Sequence, residues 1–285
     1  MTNVIGIIGG TGLYQIEGLE ALETREVETP FGKPSAPIII GKMGSQNVAF
    51  LSRHGVNHEL TPSEINFRAN IWALKSVGVR RIFSISAVGS LVQGIGPGDL
   101  VIPNQYIDFT KGKRVGTFFG EGLVAHVSTA EPTCPSLSNQ IRRISSSLGY
   151  EMHGNKTYAC VEGPRLGTRA ESFFLRGASC HVVGMTNVPE AFLAREAQIC
   201  YCTIAVVTDY DCWLDDPTKH ATVEKVIQLY KRNLGRVQGI IKNVLCEEME
   251  LSTACLCNNS LDGAVMSRYE ALTDEKKRLL EFLRL

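Results

Sequence analysis

Val4-Ile5-Gly6-Ile7-Ile8-Gly9-Gly10-Thr11-Gly12 joins a short apolar, β-branched run to a glycine-rich turn near the start of the chain. The run predicts a buried strand. In the turn, the glycines let backbone amides approach an anion, and the Thr11 hydroxyl adds a donor. The dinucleotide-binding fingerprint is incomplete, because Gln15 occupies the place of its last glycine. The pattern alone leaves two interpretations open, a phosphate cradle and a structural tight turn.

Apolar runs and helix-start signals alternate along the rest of the chain. Runs rich in β-branched residues predict further strands at residues 37–40, 48–51, 81–88, 158–161, 181–185 and 199–207. Capping signals predict helices beginning near Thr61-Pro62-Ser63-Glu64, Thr168-Arg169-Ala170-Glu171 and Asn187-Val188-Pro189-Glu190, and an amphipathic pattern predicts a last helix within 269–283. This alternation indicates an α/β fold with a largely parallel sheet flanked by helices.

The composition is that of an ordinary globular protein, with 285 residues, 44% of them hydrophobic. Lys plus Arg and Asp plus Glu number 29 each, so no net field favours nucleic acid or an anionic membrane as a partner. Neither a signal peptide nor a membrane-spanning apolar stretch is evident. The nine cysteines lie scattered in apolar segments, which suits free thiols, Cys255 and Cys257 included. We therefore expect a soluble cytoplasmic protein.

Arg53-His54-Gly55 follows directly on the predicted strand at 48–51. Open α/β sheets bind ligands at such strand ends, and the guanidinium fork of Arg suits a phosphate. The alternative is a surface salt bridge for Arg53 and a loop position for His54. His58 is close enough for a metal pair with His54, but no third ligand stands at a diagnostic spacing, and no metal site is predicted.

Two further segments carry candidate chemistry. Residues 84–90 run from a strand into a glycine turn with hydroxyls, which is either a second anion contact or a strand cap. Residues 204–213 form a buried-strand run that ends in Asp209 and Asp211, which strand alternation would aim to one side. A desolvated acid there can protonate or hydrogen-bond N7 of a purine. A magnesium pair and helix-capping aspartates are the alternatives.

Taken in order, these motifs resemble the methylthioadenosine phosphorylase branch of the trimeric purine nucleoside phosphorylases. The resemblance covers roughly residues 3–245. It is carried by GIIGGTGL at 6–13, RHG at 53–55, NIWAL at 70–74, AVGSL at 87–91, PGD at 97–99, EGPR at 162–165, RAES at 169–172, Met185-Thr186, Pro189-Glu190 and TDYDCW at 208–213.

The resemblance implies a single-domain nucleoside phosphorylase fold over residues 1–246, with a mixed, largely parallel and partly closed sheet. Residues 247–285 would form a tail that ends in the amphipathic helix and packs on the same domain. The implied assembly is a homotrimer, and pairing of trimers into a hexamer stays open. The implied role lies in purine and methionine salvage.

The resemblance also assigns residues to roles. Phosphate would be held by Thr11, Arg53, His54, Ser86, Ala87 and Thr186. Met185 would contact the ribose, Asp209 and Asp211 would face purine N7 and the 6-amino group, and His126 would reach the neighbouring subunit's site. Val223 and Val226 would surround the 5′ substituent. Leu166, followed by Gly167, stands where the family often has an aromatic residue that stacks on the base. Apolar contact of Leu166 with the purine would replace stacking, so base affinity or selectivity would be looser at these two positions.

The implied reaction is reversible phosphorolysis of S-methyl-5′-thioadenosine to adenine and 5-methylthioribose 1-phosphate, with phosphate as co-substrate and without a metal or organic cofactor. A 6-oxopurine or methylthioinosine phosphorylase on the same fold is the first alternative. Asp209 and Asp211 argue against it, since an ionised carboxylate favours an amino group over an oxo group. A noncatalytic nucleotide-binding protein is a more distant alternative, and an NAD-dependent oxidoreductase is disfavoured by the incomplete fingerprint.

Overall fold

The computed structural model describes residues 4–10, 17–216, 218, 220, 222–247 and 255–285. In chain order, the elements of these ranges are β1 (Val4–Gly9), β2 (Glu20–Arg25), β3 (Ile38–Met43), β4 (Gln46–Ser52), α1 (Phe67–Ser76), β5 (Val79–Ser90), β6 (Leu100–Phe109), α2 (Pro135–Ser147), β7 (Met152–Val161), α3 (Arg169–Gly177), β8 (Val182–Gly184), α4 (Asn187–Glu196), β9 (Cys200–Asp209), α5 (Val223–Cys246) and α6 (Asp274–Arg284). None of the helices in these ranges is both long enough and apolar enough to cross a membrane.

All of these strands belong to one mixed sheet in the order β2-β3-β4-β1-β5-β8-β7-β6-β9. Because β9 also pairs with β5, the strands β5, β8, β7, β6 and β9 close into a ring, and β1 to β4 extend from it. Pairing is parallel around β1, between β5 and β9, and along β6-β7-β8. The predicted α/β fold with a mixed, partly closed sheet is confirmed.

The central strands form where the sequence is continuously apolar. Every residue of β1 and of β9 is buried, as expected for strands with helices on both sides. Two strands lacked a detectable signal. Every residue of β2 is exposed, so it has no apolar face, and β6 contains Pro103, next to which its register with β7 shifts.

The helix-start signals differ in how well they mark the helices. The Thr168 signal is confirmed, because Thr168 and Glu171 form a capping box at the start of α3. The Thr61 signal placed the start of α1 about one and a half turns too early, because the N-cap of α1 is Asn66. The backbone amide and the hydroxyl of Thr61 both donate to the Glu64 carboxylate, which closes a local turn instead. In α4, Val188 has non-helical backbone angles, so the regular helix begins after it.

The C-terminal helices cover different parts of the core. Residues Val237, Ile240, Ile241, Val244 and Leu245 of α5 pack with apolar side chains of β5 and β9. Leu279, Leu280 and Leu283 of α6 are buried in the cluster that contains Ile8 and Leu74. The rings of Phe282 and Trp72 stack at 3.7 Å, which seats α6 against α1. Burial of this face is the favourable term that holds the last helix.

Candidate active site

Arg53 lies directly after β4 and is buried, and its backbone amide donates to the Gly9 carbonyl at the end of β1 at 3.0 Å. Its Nε and Nη2 donate to the two carboxylate oxygens of Glu190 at 2.7 and 2.9 Å. Nη1 donates to the Ile85 carbonyl and Nη2 to the Ser84 hydroxyl, at 2.9 and 2.7 Å. Because a guanidinium has five N–H donors, these bonds leave one Nη1 hydrogen for a ligand. The parallel pair of donors that a phosphate would use is occupied by Glu190.

Glu190 joins Arg53 to a network of buried polar side chains between β5, α4 and β9. Its Oε1 accepts hydrogen bonds from Ser84 Oγ at 2.7 Å and from Tyr201 Oη at 2.8 Å. Asn187 Nδ2 lies 3.1, 2.7 and 2.9 Å from the hydroxyl oxygens of Ser84, Tyr201 and Thr203, and its two hydrogens are shared among these three acceptors. A network with this many satisfied members holds its side chains in fixed positions.

The network supports several of the predicted phosphate residues. Ser86 Oγ donates to Asn187 Oδ1 at 3.1 Å, which ties β5 to the start of α4. Thr186 is the N-cap of α4, and within the described chain its side chain makes no capping hydrogen bond. Ala87 follows Ser86 on β5, next to the Ile85 carbonyl that Arg53 binds. The structure thus brings Arg53, Ser86, Ala87 and Thr186 to one end of the sheet. Thr11 lies outside the described residues.

His54 is neutral at physiological pH. Burial, and to a lesser extent the charge of Arg53, lowers its pKa to about 4, although the hydrogen bond to the Leu60 carbonyl works in the opposite direction. Nδ1 lies 2.9 Å from that carbonyl, which can only accept, so Nδ1 carries the proton and Nε2 is an acceptor. His54 stacks on His58 with ring centroids 4.5 Å apart. A neutral His54 can therefore accept a hydrogen bond from a protonated phosphate oxygen.

Asp209 and Asp211 lie together where β9 leaves the sheet. The Asp211 amide donates to Asp209 Oδ1 at 2.7 Å, and Thr208 Oγ1 donates to Asp209 Oδ2 at 2.7 Å. The expected closeness arises from a turn and not from strand alternation, since β9 ends at Asp209 and Asp211 has a left-handed φ of 52°. A Cβ on Gly89 would lie only 2.9 Å from Asp209 Oδ1, so glycine there makes room for the pair.

Both aspartates are buried with 8% exposure, and both have raised pKa values. For Asp209, burial raises the pKa, and the hydrogen bonds from Thr208 and the Asp211 amide only partly oppose it. For Asp211, burial is again the main cause, and the charge of Glu171 adds to it. Raised values favour the protonated carboxyl, which is what a general acid requires.

Met185 is placed by two contacts on the strand-to-helix connection before α4. Gly163 has a φ of 66°, and a Cβ on it would lie 2.4 Å from Met185 Sδ, so the thioether fills the space that glycine leaves. Arg114 Nη1 donates to the Met185 carbonyl at 2.8 Å, and its Nε contacts Glu162 at 3.1 Å. Leu166, three residues after Gly163, is 41% exposed.

Gly167 lies beside Asp211, since a Cβ on it would be 3.9 Å from both carboxylate oxygens. Val223, at the start of α5, is 65% exposed, and Val226 is half-buried. His126 is exposed, and its backbone amide donates to the Ala264 carbonyl. Among these residues, the structure brings only Gly167 directly to the aspartate pair.

A cavity of about 330 Å³ opens between the end of β9 and α5. It is lined by Pro97, Thr208, Asp209, Tyr210, Thr218, Lys225, Gln228, Leu229 and Arg232. Its volume is in the range of small-molecule sites. Within the described chain, the lining includes Asp209 but not Asp211, Val223 or Val226.

Three supporting residues were missed in the sequence. Glu190 and Asn187 entered only as a helix-start signal and, for Glu190, as part of a family motif, and neither they nor Arg114 was given a role in the site. The sequence did hold a signal for Glu190, because this acid stands directly before an apolar segment, which indicates burial. Glu190 is fully buried in the structure, and a buried carboxylate requires a paired cation. Arg114 had no such signal, since its hydrogen-bond partners lie 46 or more residues away in sequence.

Comparison with known proteins gives a consistent result. Residues 4–252 match the family model of the phosphorylase superfamily. An S-methyl-5′-thioadenosine phosphorylase from Geobacter sulfurreducens is 44% identical over 99% of this chain and 98% of its own length. The S-methyl-5′-thioadenosine phosphorylase of Hyperthermus butylicus is 47% identical over 92% of this chain and 95% of its own.

Solved structures show the same relationship. The crystal structure of a methylthioadenosine phosphorylase from an Antarctic soil metagenomic library superposes with a TM-score of 0.91 and 43% identity, covering 99% of both chains. A variant of adenosine/methylthioadenosine phosphorylase from Schistosoma mansoni, in complex with methylthioadenosine, superposes with a TM-score of 0.80 and 35% identity. That match covers 86% of this chain and 91% of the other.

Proposed function

The chain belongs to the phosphorylase superfamily, and from that premise we propose that it catalyses the reversible phosphorolysis of S-methyl-5′-thioadenosine. Phosphate displaces adenine from the sugar and forms 5-methylthioribose 1-phosphate. The observation that carries the proposal is the buried pair Asp209 and Asp211, whose pKa values are raised at the end of β9. The relatives that share the whole length of the chain bear the same activity in their names.

Asp209 acts as the acid toward the departing purine. As the glycosidic bond lengthens, negative charge develops on the base, and a protonated Asp209 neutralises it at N7. Each Asp209 oxygen accepts one hydrogen bond from the protein, which leaves a lone-pair position on each for the proton. Asp211 accepts a hydrogen bond from the 6-amino group, and Met185 contacts the ribose.

Phosphate binds on the opposite face of the sugar, where its negative charge stabilises the cationic sugar of the transition state. Thr186 and the remaining Nη1 hydrogen of Arg53 donate to it, along with the backbone at Ala87 and the Thr11 turn. Ser86 joins them by turning its one hydroxyl hydrogen from Asn187 Oδ1 to the phosphate. Neutral His54 accepts from the oxygen that carries the phosphate proton, so the deprotonated oxygens are left to attack. These steps use only side chains and backbone, and the proposed chemistry requires no cofactor.

The proposed assembly is a homotrimer with the sites near subunit boundaries, in which His126 reaches a neighbouring site. It is supported by exposed apolar side chains close to the site, because Phe173 and Phe174 on α3 and Leu166 are 50%, 63% and 41% exposed. An interface there would bury them. The proposed compartment is the cytoplasm, supported by nine cysteines that are all free.

The test is phosphate-dependent release of adenine from methylthioadenosine, with methylthioinosine, adenosine and inosine in parallel. We expect the fastest turnover with methylthioadenosine and none without phosphate. Asp209→Asn should lower kcat by about 10²- to 10⁴-fold, because the amide cannot supply the proton. Val226→Thr, which places a hydroxyl near the 5′ position, should shift preference toward adenosine.

A preference for the inosine compounds would be consistent with the mechanism, but it would reject the roles that Asp209 and Asp211 are given in binding the base. Binding of methylthioadenosine without turnover, unchanged in the Asp209→Asn variant, would reject the enzyme and favour a nucleotide-binding protein.

A further inference from the structure

Four cysteine sulfurs from three parts of the chain converge at the end of the molecule away from the aspartate pair. Cys134 is the N-cap of α2, Cys200 is the first residue of β9, and Cys255 and Cys257 belong to the segment after α5. All four Sγ atoms lie within 4.8 Å of one another. Cys255 Sγ lies 3.6 Å from Cys134 Sγ and 3.5 Å from Cys200 Sγ.

We propose that Cys134, Cys200, Cys255 and Cys257 bind one Zn²⁺ ion as a closed structural site. A tetrahedral zinc with Zn–S bonds of about 2.3 Å places its sulfurs roughly 3.8 Å apart, which is close to the separations found here. Four thiolates also fill the coordination of the ion, and sulfur ligands select zinc over magnesium or calcium.

Two buried guanidiniums lie beside the four sulfurs. Arg195 is 9% exposed, and its Nη1 donates to Cys257 Sγ at 3.2 Å. A thiol is a weak acceptor, whereas a zinc-bound thiolate accepts a charge-assisted hydrogen bond. Arg81 is 2% exposed and lies opposite Cys200 in the register of β5 and β9. Zinc with four thiolates carries two negative charges, which the two guanidiniums balance.

The position of the cluster gives the ion a structural role. Cys200 and Asp209 are the two ends of β9, a ten-residue strand that spans about 30 Å, so the ion lies far from the proposed reaction. Its four ligands connect the C-terminal segment to α2 and β9. Two hydrogen bonds hold the same segment, from Ser260 Oγ to the Arg195 carbonyl at 2.6 Å and from the Leu261 amide to Gln198 Oε1 at 3.3 Å.

The metal content of the purified protein tests this proposal. The untagged chain is produced with zinc in the medium, purified under reducing conditions without chelator, and analysed by inductively coupled plasma mass spectrometry. We expect about one zinc ion per chain. Replacement by cobalt should give the visible d–d bands and near-ultraviolet charge-transfer bands of a tetrahedral thiolate site.

Variants connect the ion to these four residues. Cys257→Ser and Cys134→Ser should each lose most of the bound zinc and lower the melting temperature. Cys202→Ser is the matched control, because Cys202 is equally buried on β9 but its Sγ contacts Ser138 Oγ at 3.3 Å. It should retain the metal. A strong chelator should lower the melting temperature of the parent and of Cys202→Ser, but not that of Cys257→Ser.

Results on the parent protein decide the matter even where a variant fails to fold. Less than about one-tenth of a zinc ion per chain after reconstitution would overturn the proposal. So would a disulfide between any two of the four cysteines, detected by mass spectrometry of the anaerobically purified protein. Because zinc content is measured without a substrate, failure here leaves the phosphorolysis proposal untouched.

Discussion

Arg53 and Glu190 form a two-point ion pair in which their side chains are 2% and 0% exposed. The pair lies below the sheet end that carries Ser86 and Thr186. It uses the Nε and Nη2 donors of Arg53, which together could otherwise have bound a phosphate. Burial would lower the pKa of Arg53, but the Glu190 carboxylate outweighs that effect and raises it. A fixed, permanently charged guanidinium thus stabilises a bound anion mainly through its positive charge and through one remaining N–H donor.

Breaking this pair should cost both stability and phosphate affinity. Glu190→Gln leaves Arg53 charged and buried without a counter-ion, and we expect a loss of about 3 to 5 kcal/mol in the free energy of unfolding. The KM for phosphate should rise as Arg53 shifts. Denaturant titration and phosphate-dependent kinetics measure the two effects.

The control is Glu121→Gln, which removes a surface ion pair with Lys276 in which Glu121 is 87% exposed. That change should cost less than about 1 kcal/mol. Equal losses in the two variants would show that burial of the Arg53 pair has no special weight.

Gly89→Ala should impair catalysis although it replaces none of the polar side chains of the site. The new Cβ would lie 2.9 Å from Asp209 Oδ1 and 3.3 Å from Asp211 Cβ, so the acid must move. A displacement of this size should lower kcat by roughly 10- to 100-fold and leave the KM for phosphate nearly unchanged. Gly94→Ala is the matched control, because nothing lies within 4 Å of its added Cβ. Wild-type kcat in Gly89→Ala would contradict the placement of Asp209.

His54→Leu tests the acceptor role of the neutral imidazole, because leucine has no atom that accepts a hydrogen bond. Because the pKa of His54 is about 4, the ring does not change charge between roughly pH 5.5 and 8. The variant should therefore raise the KM for phosphate by the same factor throughout that range, on the order of tenfold for one lost hydrogen bond. His153→Leu, at a partly exposed position beside Asp99, should leave the KM for phosphate unchanged. A factor that varied with pH would indicate that His54 titrates.

Glu196 should make the protein less stable as pH rises through neutrality. Burial raises its pKa from 4.5 to about 7, against hydrogen bonds from the Phe118 amide and Thr117. Below the unfolded pKa both states are protonated and stability is complete, and it falls as pH rises through the folded pKa. Glu196→Gln should be close to the parent at about pH 5 and more stable at about pH 8.5, by at most about 3 kcal/mol.

Denaturant titration at the two pH values measures this difference. Glu171 supplies a control of opposite sign, because hydrogen bonds from Arg165 and Thr168 lower its pKa to about 2. Its stabilising contribution is present above the unfolded pKa and is lost on acidification. The loss of stability in Glu171→Gln relative to the parent should therefore be largest near neutral pH and shrink at low pH. A Glu196→Gln variant whose advantage did not grow with pH would refute the raised pKa.

The sequence by itself determined the elements whose signals are local. Continuous apolar runs marked β1 and β9, the capping box at Thr168 marked α3, and Asp209 and Asp211 stood out as two carboxylates after a buried strand. These features depend on neighbours within a few residues, which a single chain displays directly. The exposed strand β2 and the true start of α1 were missed, because neither has a distinctive local pattern.

Tertiary structure alone decided which groups meet. Arg53 finds Glu190 across 137 residues, Gly89 makes room for Asp209, and Cys134 meets Cys200, Cys255 and Cys257. It also decided the charge states, since the low pKa of His54 and the high pKa of Glu196 follow mainly from burial. Burial and long-range contact are properties of the packed chain, because only closure of the sheet brings distant segments together and removes water from between them.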